Sequence, residues 1–273
     1  MPLTNLTIER APLLSVPYRF VNERGRPAVG ILEVSGGHVD GLPTDVHAIL
    51  ATADLQGLEV AGPRLLGEVL AEELVLAAFD GILPDPSSIG VLLAGDLSCR
   101  PDLDRRGGAG DVIPVWRAFA EHFRWVVGVA GNHDLFGGGA TLKNLELTRK
   151  KIGVDILHDE VVERDGLRIA GFCGIVGTNG RPWRTPPEAF CEALSGLMAR
   201  DPDVLLLHEG PAGDGPRQPG NNVIRASLAD SSRTGMVICG HSHWDAPHAR
   251  ITRGLDVLNV DFRCILLKGR HPC

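Results

Sequence analysis

The sequence predicts a layered α/β domain with parallel strands in its core, and two observations support that fold class. Short apolar runs, each ending in polar residues, have the length and β-branched content of strands that are buried on both faces. Longer segments with apolar residues at helical spacing fall between these runs. The chain has 273 residues, which fits one large domain or two small ones.

Five apolar runs are the predicted buried strands: Val46–Ala53, Ile89–Gly95, Trp125–Ala130, Val204–Leu207 and Met236–Cys239. The predicted helices are Arg64–Phe79, Val112–Phe123, Leu142–Ile152, Pro187–Arg200 and the shorter Asn222–Leu228. In Val161–Ile169 an Asp-Gly pair separates two strand-like stretches, which indicates a β-hairpin. Part of the sheet is therefore expected to be antiparallel.

We expect a single domain over residues 1–273, with its core at residues 46–262. Residues 1–45 are predicted to form irregular strands and turns that pack on the same domain. Residues 100–111 and 176–187 are rich in Gly, Pro or charged residues, which is typical of surface loops. The sequence leaves the role of these two loops open.

Charge and composition narrow the function classes. Because 27 basic residues face 34 acidic ones, the net charge of −7 disfavours broad binding to nucleic acid. No apolar stretch reaches the roughly 18–20 residues that span a bilayer, and the first residues lack a signal-peptide pattern, so we expect a cytoplasmic protein without a membrane partner. The six cysteines form no Cys-x-x-Cys pair, so we expect most of them to be small buried hydrophobes. The oligomeric state stays open.

The predicted strands end in an unusual set of polar residues: Asp54, Gln56, Asp96, Asn132, His133, Asp134, His208, His241 and His243. Taken singly, a strand-end Asp is usually a turn or helix-capping residue, and a buried His is usually a hydrogen-bonded core residue. Ligands, however, bind where the carboxyl ends of parallel strands meet, and all of these residues fall there. Oxygen and imidazole donors together suit Mn, Fe or Zn better than Ca²⁺.

The ordered series Asp54-x-Gln56, Gly95-Asp96, Gly131-Asn132-His133-Asp134, His208 and Gly240-His241-Ser242-His243 resembles the calcineurin-like metallophosphoesterase superfamily over about residues 46–262. The resemblance implies a four-layer α/β/β/α sandwich of two mixed sheets flanked by helices. It also implies two metal ions that share Asp96. By position, Asp54, Gln56, Asp96 and His243 would hold the first ion, and Asp96, Asn132, His208 and His241 the second. His133 would lie beside the leaving-group oxygen, oriented by Asp134.

This resemblance implies a dinuclear metal-dependent phosphoric ester hydrolase, a phosphatase or phosphodiesterase. The expected reaction is in-line attack of a metal-bridging hydroxide on a phosphomonoester or small phosphodiester, with His133 assisting the leaving group. Two divalent cations are the expected cofactors, with Mn²⁺ favoured and Mg²⁺, Fe or Zn²⁺ as alternatives. A small phosphoester is the expected partner.

Gln56 departs from the family pattern, in which the first motif is normally Asp-x-His. An amide oxygen is a weaker and harder donor than an imidazole nitrogen, so the first site should hold its ion loosely and prefer Mn²⁺ or Mg²⁺ to Zn²⁺. In an alternative interpretation Gln56 binds water or substrate and the first site is often empty. The chain would then be a catalytically impaired binding module with this fold.

Further residues are candidates for substrate binding. Arg100 lies four positions after Asp96, where the protein Ser/Thr phosphatase branch of the family has a phosphate-binding Arg. The Gly/Pro-rich loop after the predicted strand at Gly171–Gly177 supplies guanidinium, indole and amide groups that suit phosphate binding and stacking on a leaving group; these are Asn179, Arg181, Trp183 and Arg184. In the alternative interpretation, all five residues are solvent-exposed loop residues without a role in binding.

Overall fold

Two mixed β-sheets lie at the centre of the protein, which was studied as a computed structural model. The structure describes residues 2–22, 24–100, 108–178, 180–230 and 235–270. The strands up to residue 135 are β1 (Thr4–Val21), β2 (Pro27–Asp40), β3 (Ala48–Ala53), β4 (Ile89–Leu93), β5 (Gly110–Asp111), β6 (Trp125–Gly128) and β7 (Asp134–Leu135). The later strands are β8 (Asp155–Ile156), β9 (Glu160–Arg164), β10 (Leu167–Phe172), β11 (Ile175–Val176), β12 (Arg184–Thr185), β13 (Val204–Glu209), β14 (Gly235–Gly240), β15 (His248–Arg250), β16 (Leu255–Asn259) and β17 (Arg263–Gly269).

The helices follow the predicted pattern closely. They are α1 (Leu66–Phe79), α2 (Ile113–Ala120), α3 (Leu142–Ile152), α4 (Pro187–Ala199) and α5 (Asn222–Ala229), with a single 3₁₀ turn at Pro86–Ser88. α3 begins where the Thr141 hydroxyl accepts a hydrogen bond from the Asn144 N–H, and it ends at Gly153 in the left-handed conformation. Within the described residues, no helix is long and apolar enough to cross a bilayer.

The first sheet contains seven strands in the order β1-β2-β17-β3-β4-β6-β8. Its strands β3, β4 and β6 run parallel, so their carboxyl ends lie at one edge. The second sheet has the order β15-β16-β14-β13-β10-β9. There β10, β13, β14 and β16 are parallel, whereas β9 and β15 pair in the antiparallel sense. The predicted hairpin is confirmed as β9 and β10, joined at Asp165-Gly166.

Burial separates the two faces of the second sheet. Ile169, Leu206 and Ile238 belong to the main core, which also contains the apolar residues of the first sheet and of α1 and α2. Their neighbours on the opposite face pack with α4 and α5 in a second core. Because side chains alternate across a strand, one sheet face meets the other sheet and the opposite face meets helices. The predicted α/β/β/α layering is confirmed.

The first forty residues are more regular than the sequence suggested. β1 and β2 form one long antiparallel hairpin, with register shifts between Thr4 and Leu14. β2 continues into the first sheet by pairing with β17. The expected irregular strands are thus two long paired strands, because bulges and Pro residues interrupt the period-two pattern without ending the strand.

The end of β1 is also attached to the loop that follows β3. Arg19 and Leu58 exchange two backbone hydrogen bonds of 2.8 and 2.9 Å. The Arg19 guanidinium donates to the backbone carbonyls of Glu59 and Gly62 at 2.9 and 2.7 Å. These contacts fix the hairpin against the loop that carries Gln56.

An ion-pair network closes the outer edge of the second sheet. The Asp256 carboxylate on β16 contacts His248 and Arg250 of β15, both at 2.9 Å. Burial raises the pKa of Asp256, but the hydrogen bonds from His248 and Arg250 outweigh burial, so its pKa lies below the ordinary value.

The five described cysteines are free thiols. Cys173, Cys239 and Cys264 are buried, as predicted, while Cys99 and Cys191 are half-buried. Cys273 lies outside the described residues. Burial raises the pKa of the Cys173 and Cys239 thiols to about 12, which leaves both as unreactive core residues.

Candidate metal centre

The polar loops at the carboxyl ends of both sheets converge on one place. Asp54 directly follows β3, and Asp96 lies three residues beyond the end of β4. His208 lies within β13, and His241 directly follows β14. The ligand atoms of Asp96, His208 and His241 all lie within 4.8 Å of one another, so side chains from both sheets meet here.

His208 is fixed in one orientation. Its Nδ1 lies 2.8 Å from the Ala94 carbonyl, and a carbonyl can only accept, so Nδ1 carries the proton. Its Nε2 lies 3.4 Å from the Asp96 carboxylate. The rings of His208 and His241 are 5.1 Å apart, centre to centre. A histidine held through one nitrogen so that the other is presented to a site is the usual arrangement of a metal ligand.

Two buried polar atoms of this cluster have no hydrogen-bond partner among the described residues. They are Asn132 Oδ1 and His208 Nε2. Leaving such an atom unsatisfied costs about 1–3 kcal/mol, so buried polar atoms nearly always have partners. Both atoms belong to the set that the sequence assigns to the second ion, and a cation would satisfy both. The residues present therefore fit a divalent metal.

The pKa shifts of the carboxyl groups in the cluster also favour a bound cation. Burial raises the pKa of Asp54 well above its ordinary value, and the charges of Asp261 and Asp96 add to that rise. Burial also opposes the ionisation of Asp96, but His208 and the His133 N–H outweigh it and lower the pKa of Asp96 to about 2. Three carboxylates thus crowd one poorly solvated site, where a cation would relieve their repulsion.

The two histidines respond in opposite directions. Burial disfavours the charged form of His208, yet Asp96 and Asp54 raise its pKa to about 10. Burial and the neighbouring His208 lower the pKa of His241 to about 4. The Asp96 and Asp54 carboxylates therefore favour the charged form of His208, and a metal ion at Nε2 would compete with that proton.

The residues assigned to the first ion are near this cluster but have protein partners. The Gln56 Nε2 donates to Asp96 Oδ2 at 3.1 Å. Asp54 Oδ2 accepts the His241 N–H at 2.8 Å. The exposed His243 contacts the Asp261 carboxylate through Nδ1 at 3.0 Å and the Arg263 guanidinium through Nε2 at 3.3 Å. Asp96, His208 and His241 thus already lie together, whereas Gln56 and His243 are hydrogen-bonded to other protein groups.

Comparison with known proteins agrees with this geometry. The model of the calcineurin-like phosphoesterase family matches residues 45–245, which is most of the chain. The chain belongs to the calcineurin-like phosphoesterase family. The predicted family is therefore confirmed, and its members are generally metal-dependent phosphoester hydrolases.

Solved structures resemble this chain at low sequence identity. TT1561 of Thermus thermophilus shares the fold, with a TM-score of 0.54 at 18% identity, covering 80% of this chain and 90% of that one. The calcineurin-like phosphoesterase YfkN from Bacillus subtilis has a TM-score of 0.46 at 16% identity, with 78% of this chain and 80% of that chain covered. No curated protein matches the chain.

Asp261 lies beside the candidate metal centre and was missed by the sequence reasoning. It follows β16, and its backbone bridges to Ala53 at the end of β3. Its carboxylate contacts His243 and lies in the same cleft as Asp54. A signal was present, because the strand-like stretch Leu255–Val260, although interrupted by Asp256 and Asn259, leads into this Asp just as two other strands lead into Asp54 and Asp96.

Asp134 has a different position from the one expected. Its fully buried carboxylate accepts backbone hydrogen bonds from Asp96, Leu97 and Gly131 at 3.0, 2.9 and 2.8 Å. None of the hydrogen bonds described for this carboxylate involves the His133 ring. The expectation that Asp134 orients His133 is corrected: Asp134 ties together the two loops that carry Asp96 and Asn132.

A cleft of about 740 Å³ opens beside the metal centre. The polar part of its lining includes the strand-end residues Asp54, Gln56, Asp96, His133, His241, His243 and Asp261. The apolar part is Tyr18, Phe20, Val21 and Phe262, three of which come from β1, and Asn22 and Arg24 directly beyond β1 also line the cleft. The cleft therefore combines the predicted metal ligands with aromatic residues from the N-terminal hairpin.

The predicted substrate-binding residues lie elsewhere, since the lining of this cleft includes none of those that the structure describes. Trp183 is buried, donates through Nε1 to the Asp134 carbonyl at 2.8 Å, and packs edge-on against Phe136. It is a structural residue, and its predicted stacking role is corrected. Arg181 is exposed, and the half-buried Arg184 side chain packs over Gly177.

Arg100 is half-buried beside Gly108, just beyond Ser98 and Cys99, which do line the cleft. Asn179 lies outside the described residues, as does most of the 100–111 loop.

Several cleft residues have a left-handed backbone, which side chains other than Gly rarely adopt. Asp54, Asp96, His241 and Phe262 have φ angles of 55°, 54°, 69° and 54°. Each lies where the chain leaves a strand and turns toward the cleft. Such conformations concentrate at functional sites, because the surrounding structure has to enforce them.

Proposed function

We propose that the protein is a dinuclear metal-dependent phosphoesterase that hydrolyses a phosphomonoester or a small phosphodiester. The observation that supports this most is the convergence of the ligand atoms of Asp96, His208 and His241 within 4.8 Å of one another. Within the described residues, Asn132 Oδ1 and His208 Nε2 are in addition buried without a hydrogen bond. The family match supports the reaction class.

The second ion would be held by Asp96, Asn132, His208 and His241. The first ion would be held by Asp54, Gln56, Asp96 and His243, so that Asp96 is shared. Divalent ions at these positions supply Lewis acidity at the phosphoryl group and make water more acidic. Mn²⁺ is our preferred ion because the first set offers mainly oxygen donors, with Mg²⁺, Fe and Zn²⁺ as the alternatives.

His133 is the proposed catalytic acid. Its side chain lines the cleft, and its backbone N–H donates to Asp96 Oδ1 at 2.9 Å. This bond fixes the His133 backbone next to the shared carboxylate. The imidazole would then protonate the oxygen of the departing alcohol. Asp134 contributes by holding the His133 loop against the Asp96 loop, as a positioning residue.

The net charge of −7 supports a small substrate. A polyanion such as nucleic acid would be repelled by the overall field of the protein. A phosphomonoester or small phosphodiester carries little charge beyond the group that the site binds.

A second candidate function is a catalytically impaired binding module, and the first-ion residues favour it. Gln56 donates to the carboxylate that it would have to share with an ion, and both ring nitrogens of His243 already have partners. If these contacts persist, the first site stays weak or empty while the second remains intact.

Metal content and turnover, measured on the same preparations, separate the two candidates. The purified chain is loaded with Mn²⁺, Mg²⁺, Fe²⁺ or Zn²⁺, and bound metal is counted by mass spectrometry. Rates are then measured on an aryl phosphate monoester and an aryl phosphate diester. His133→Ala should retain its metal and lose activity by about 10²–10⁴-fold. The control His122→Ala alters an exposed histidine away from the cleft and should keep full activity. Inactivity with all four metals would favour the binding module.

A further inference from the structure

The apolar part of the cleft lining is a second binding feature beside the metal centre. Tyr18 forms its floor and is almost fully buried. Its ring lies 5.4 Å from that of Phe20 and 5.1 Å from that of Phe262, both of which are half-buried and line the cleft. Three aromatic rings therefore meet at the side of the cleft that faces the metal ligands.

This aromatic floor is fixed to the metal loops by backbone contacts. Tyr18 packs so closely on Gly57 that a Cβ there would lie 2.5 Å from the ring. Gly57 directly follows Gln56. Phe262 directly follows Asp261, whose carboxylate contacts His243. The rings are therefore held at a set distance from the proposed first-ion residues.

The backbone of Phe262 shows that this placement is costly. Its φ of 54° is left-handed, a conformation that is rare for a bulky side chain. At this point the chain passes from the second sheet, at β16, to the first sheet, at β17. The left-handed turn directs the ring into the cleft, where it packs on Tyr18.

The size and polarity of the cleft indicate what binds there. A volume of about 740 Å³ falls within the roughly 300–1,000 Å³ typical of sites for drug-sized ligands, and a phosphate group alone would leave most of it unfilled. With the phosphate at the metal ligands, the rest of the ester extends toward Phe20 and Phe262. Aromatic side chains favour flat rings, because stacking adds to the burial of apolar area.

We propose that the aromatic floor of Tyr18, Phe20 and Phe262 binds a planar ring of the substrate, so that the substrate is a phosphoester of a nucleoside or of another aromatic alcohol. This inference rests on the proposed function for the position of the phosphate. The N-terminal hairpin then determines substrate choice, while the loops of the two sheets bind the metal.

Direct binding tests this proposal with three probes. Adenosine 5′-monophosphate carries both ring and phosphate, ribose 5-phosphate lacks the ring, and adenosine lacks the phosphate. Each is titrated by calorimetry into the Mn²⁺-loaded full chain carrying His133→Ala, which suppresses turnover. We expect adenosine 5′-monophosphate to bind about tenfold more tightly than ribose 5-phosphate, the scale that stacking on an aromatic side chain supplies.

Substitutions then test whether Phe20 and Phe262 cause this difference between the two affinities. Phe20→Leu and Phe262→Leu keep most of the apolar volume but remove the aromatic face, and each should reduce the ratio of the two affinities to about threefold or less. Ribose 5-phosphate should bind all variants equally. The matched control is Phe79→Leu, which alters a Phe that is 89% exposed on α1, and it should leave the ratio unchanged. Equal affinities for the two phosphates, or a ratio unaffected by both cleft substitutions, would overturn the proposal.

The outcome is separable from that of the proposed function. Hydrolysis of both phosphates by the Mn²⁺-loaded wild-type chain, without any affinity ratio, would refute the aromatic site and leave the phosphoesterase intact. An affinity ratio that depends on Phe20, in a chain that hydrolyses neither these phosphates nor the aryl phosphate monoester and diester, would support the aromatic site and refute the phosphoesterase.

Discussion

Replacing Asn132 by Leu should stabilise the protein without metal and weaken its stabilisation by metal. Asn132 Oδ1 is buried and has no partner among the described residues. An unsatisfied atom of this kind costs about 1–3 kcal/mol, and Leu has a similar shape without the polar atom. In the absence of metal, Asn132→Leu should therefore raise the free energy of unfolding by up to about 1–3 kcal/mol.

With Mn²⁺ present the variant should lose about 2.3 kcal/mol of this advantage, so any metal-free gain smaller than that is reversed. At a metal concentration 100 times the dissociation constant, binding stabilises the wild-type chain by about 2.7 kcal/mol. If the substitution weakens binding 100-fold, the same concentration stabilises the variant by only about 0.4 kcal/mol. Urea denaturation in EDTA and in excess Mn²⁺ measures both quantities.

Asn144→Leu is the matched control. The Asn144 Nδ2 donates to the Phe136 carbonyl at 2.8 Å, so this amide already has its partner. Its loss should destabilise the protein by about 1 kcal/mol in both buffers, with the Mn²⁺ increment unchanged. If Asn132→Leu behaved like this control, Asn132 would not be a metal ligand and the argument from its unpartnered oxygen would be wrong.

Three further changes have expected outcomes. Gln56→His should leave more metal per chain after dialysis, measured by mass spectrometry, because imidazole is the stronger donor; equal retention would contradict Gln56 as a ligand. Asp256→Asn should lower the free energy of unfolding in urea by about 1–3 kcal/mol at pH 7. A lowered carboxyl pKa stabilises the fold above the unfolded pKa of about 3.9, so the difference should fade as the pH drops below about 4, and a constant difference would refute the ion-pair account. Gly95→Ala should destabilise the protein far more than Gly153→Ala, because both have left-handed backbones but only a Cβ at Gly95 meets backbone atoms, at 2.4 Å; equal thermal shifts would contradict this.

The sequence was most informative where a strand ends in a polar residue. Asp54, Asp96 and His241 were found in this way because parallel strands bring their carboxyl ends together, whatever the loops do. The same rule would have found Asp261 if the run before it had been taken as a strand. Periodicity and strand ends therefore predicted the layers and the residues that surround the site.

Side-chain partners were harder to predict, since they depend on loop conformation. The order Asn-His-Asp made His133 and Asp134 look like partners, but the left-handed turn at Asp96 presents its own backbone N–H to Asp134 instead. Trp183 lies in a Gly/Pro-rich segment, which is typical of a surface loop. Its indole Nε1 nevertheless donates a buried hydrogen bond to the Asp134 carbonyl. Neither hydrogen bond can be predicted from the composition of the surrounding segment.

The role of the N-terminal hairpin was also beyond sequence reasoning. β1 reaches the cleft through backbone hydrogen bonds between Arg19 and Leu58, which any pair of residues could make. Phe20 and Phe262 are far apart along the chain, and no spacing rule connects them. Tertiary packing alone brings their rings together on Tyr18.

The left-handed backbone of four residues around the cleft lowers stability, whereas their side chains form the proposed site. Asp54, Asp96, His241 and Phe262 each hold a backbone geometry that glycine adopts without penalty, at a cost on the order of 1–3 kcal/mol for a strained side-chain-bearing residue. Glycine at any of the four would relieve the backbone strain but remove a proposed ligand or a wall of the cleft. Laboratory selection for heat resistance alone would therefore drift toward inactive descendants, and any thermostabilised form of this protein has to be selected for turnover at the same time.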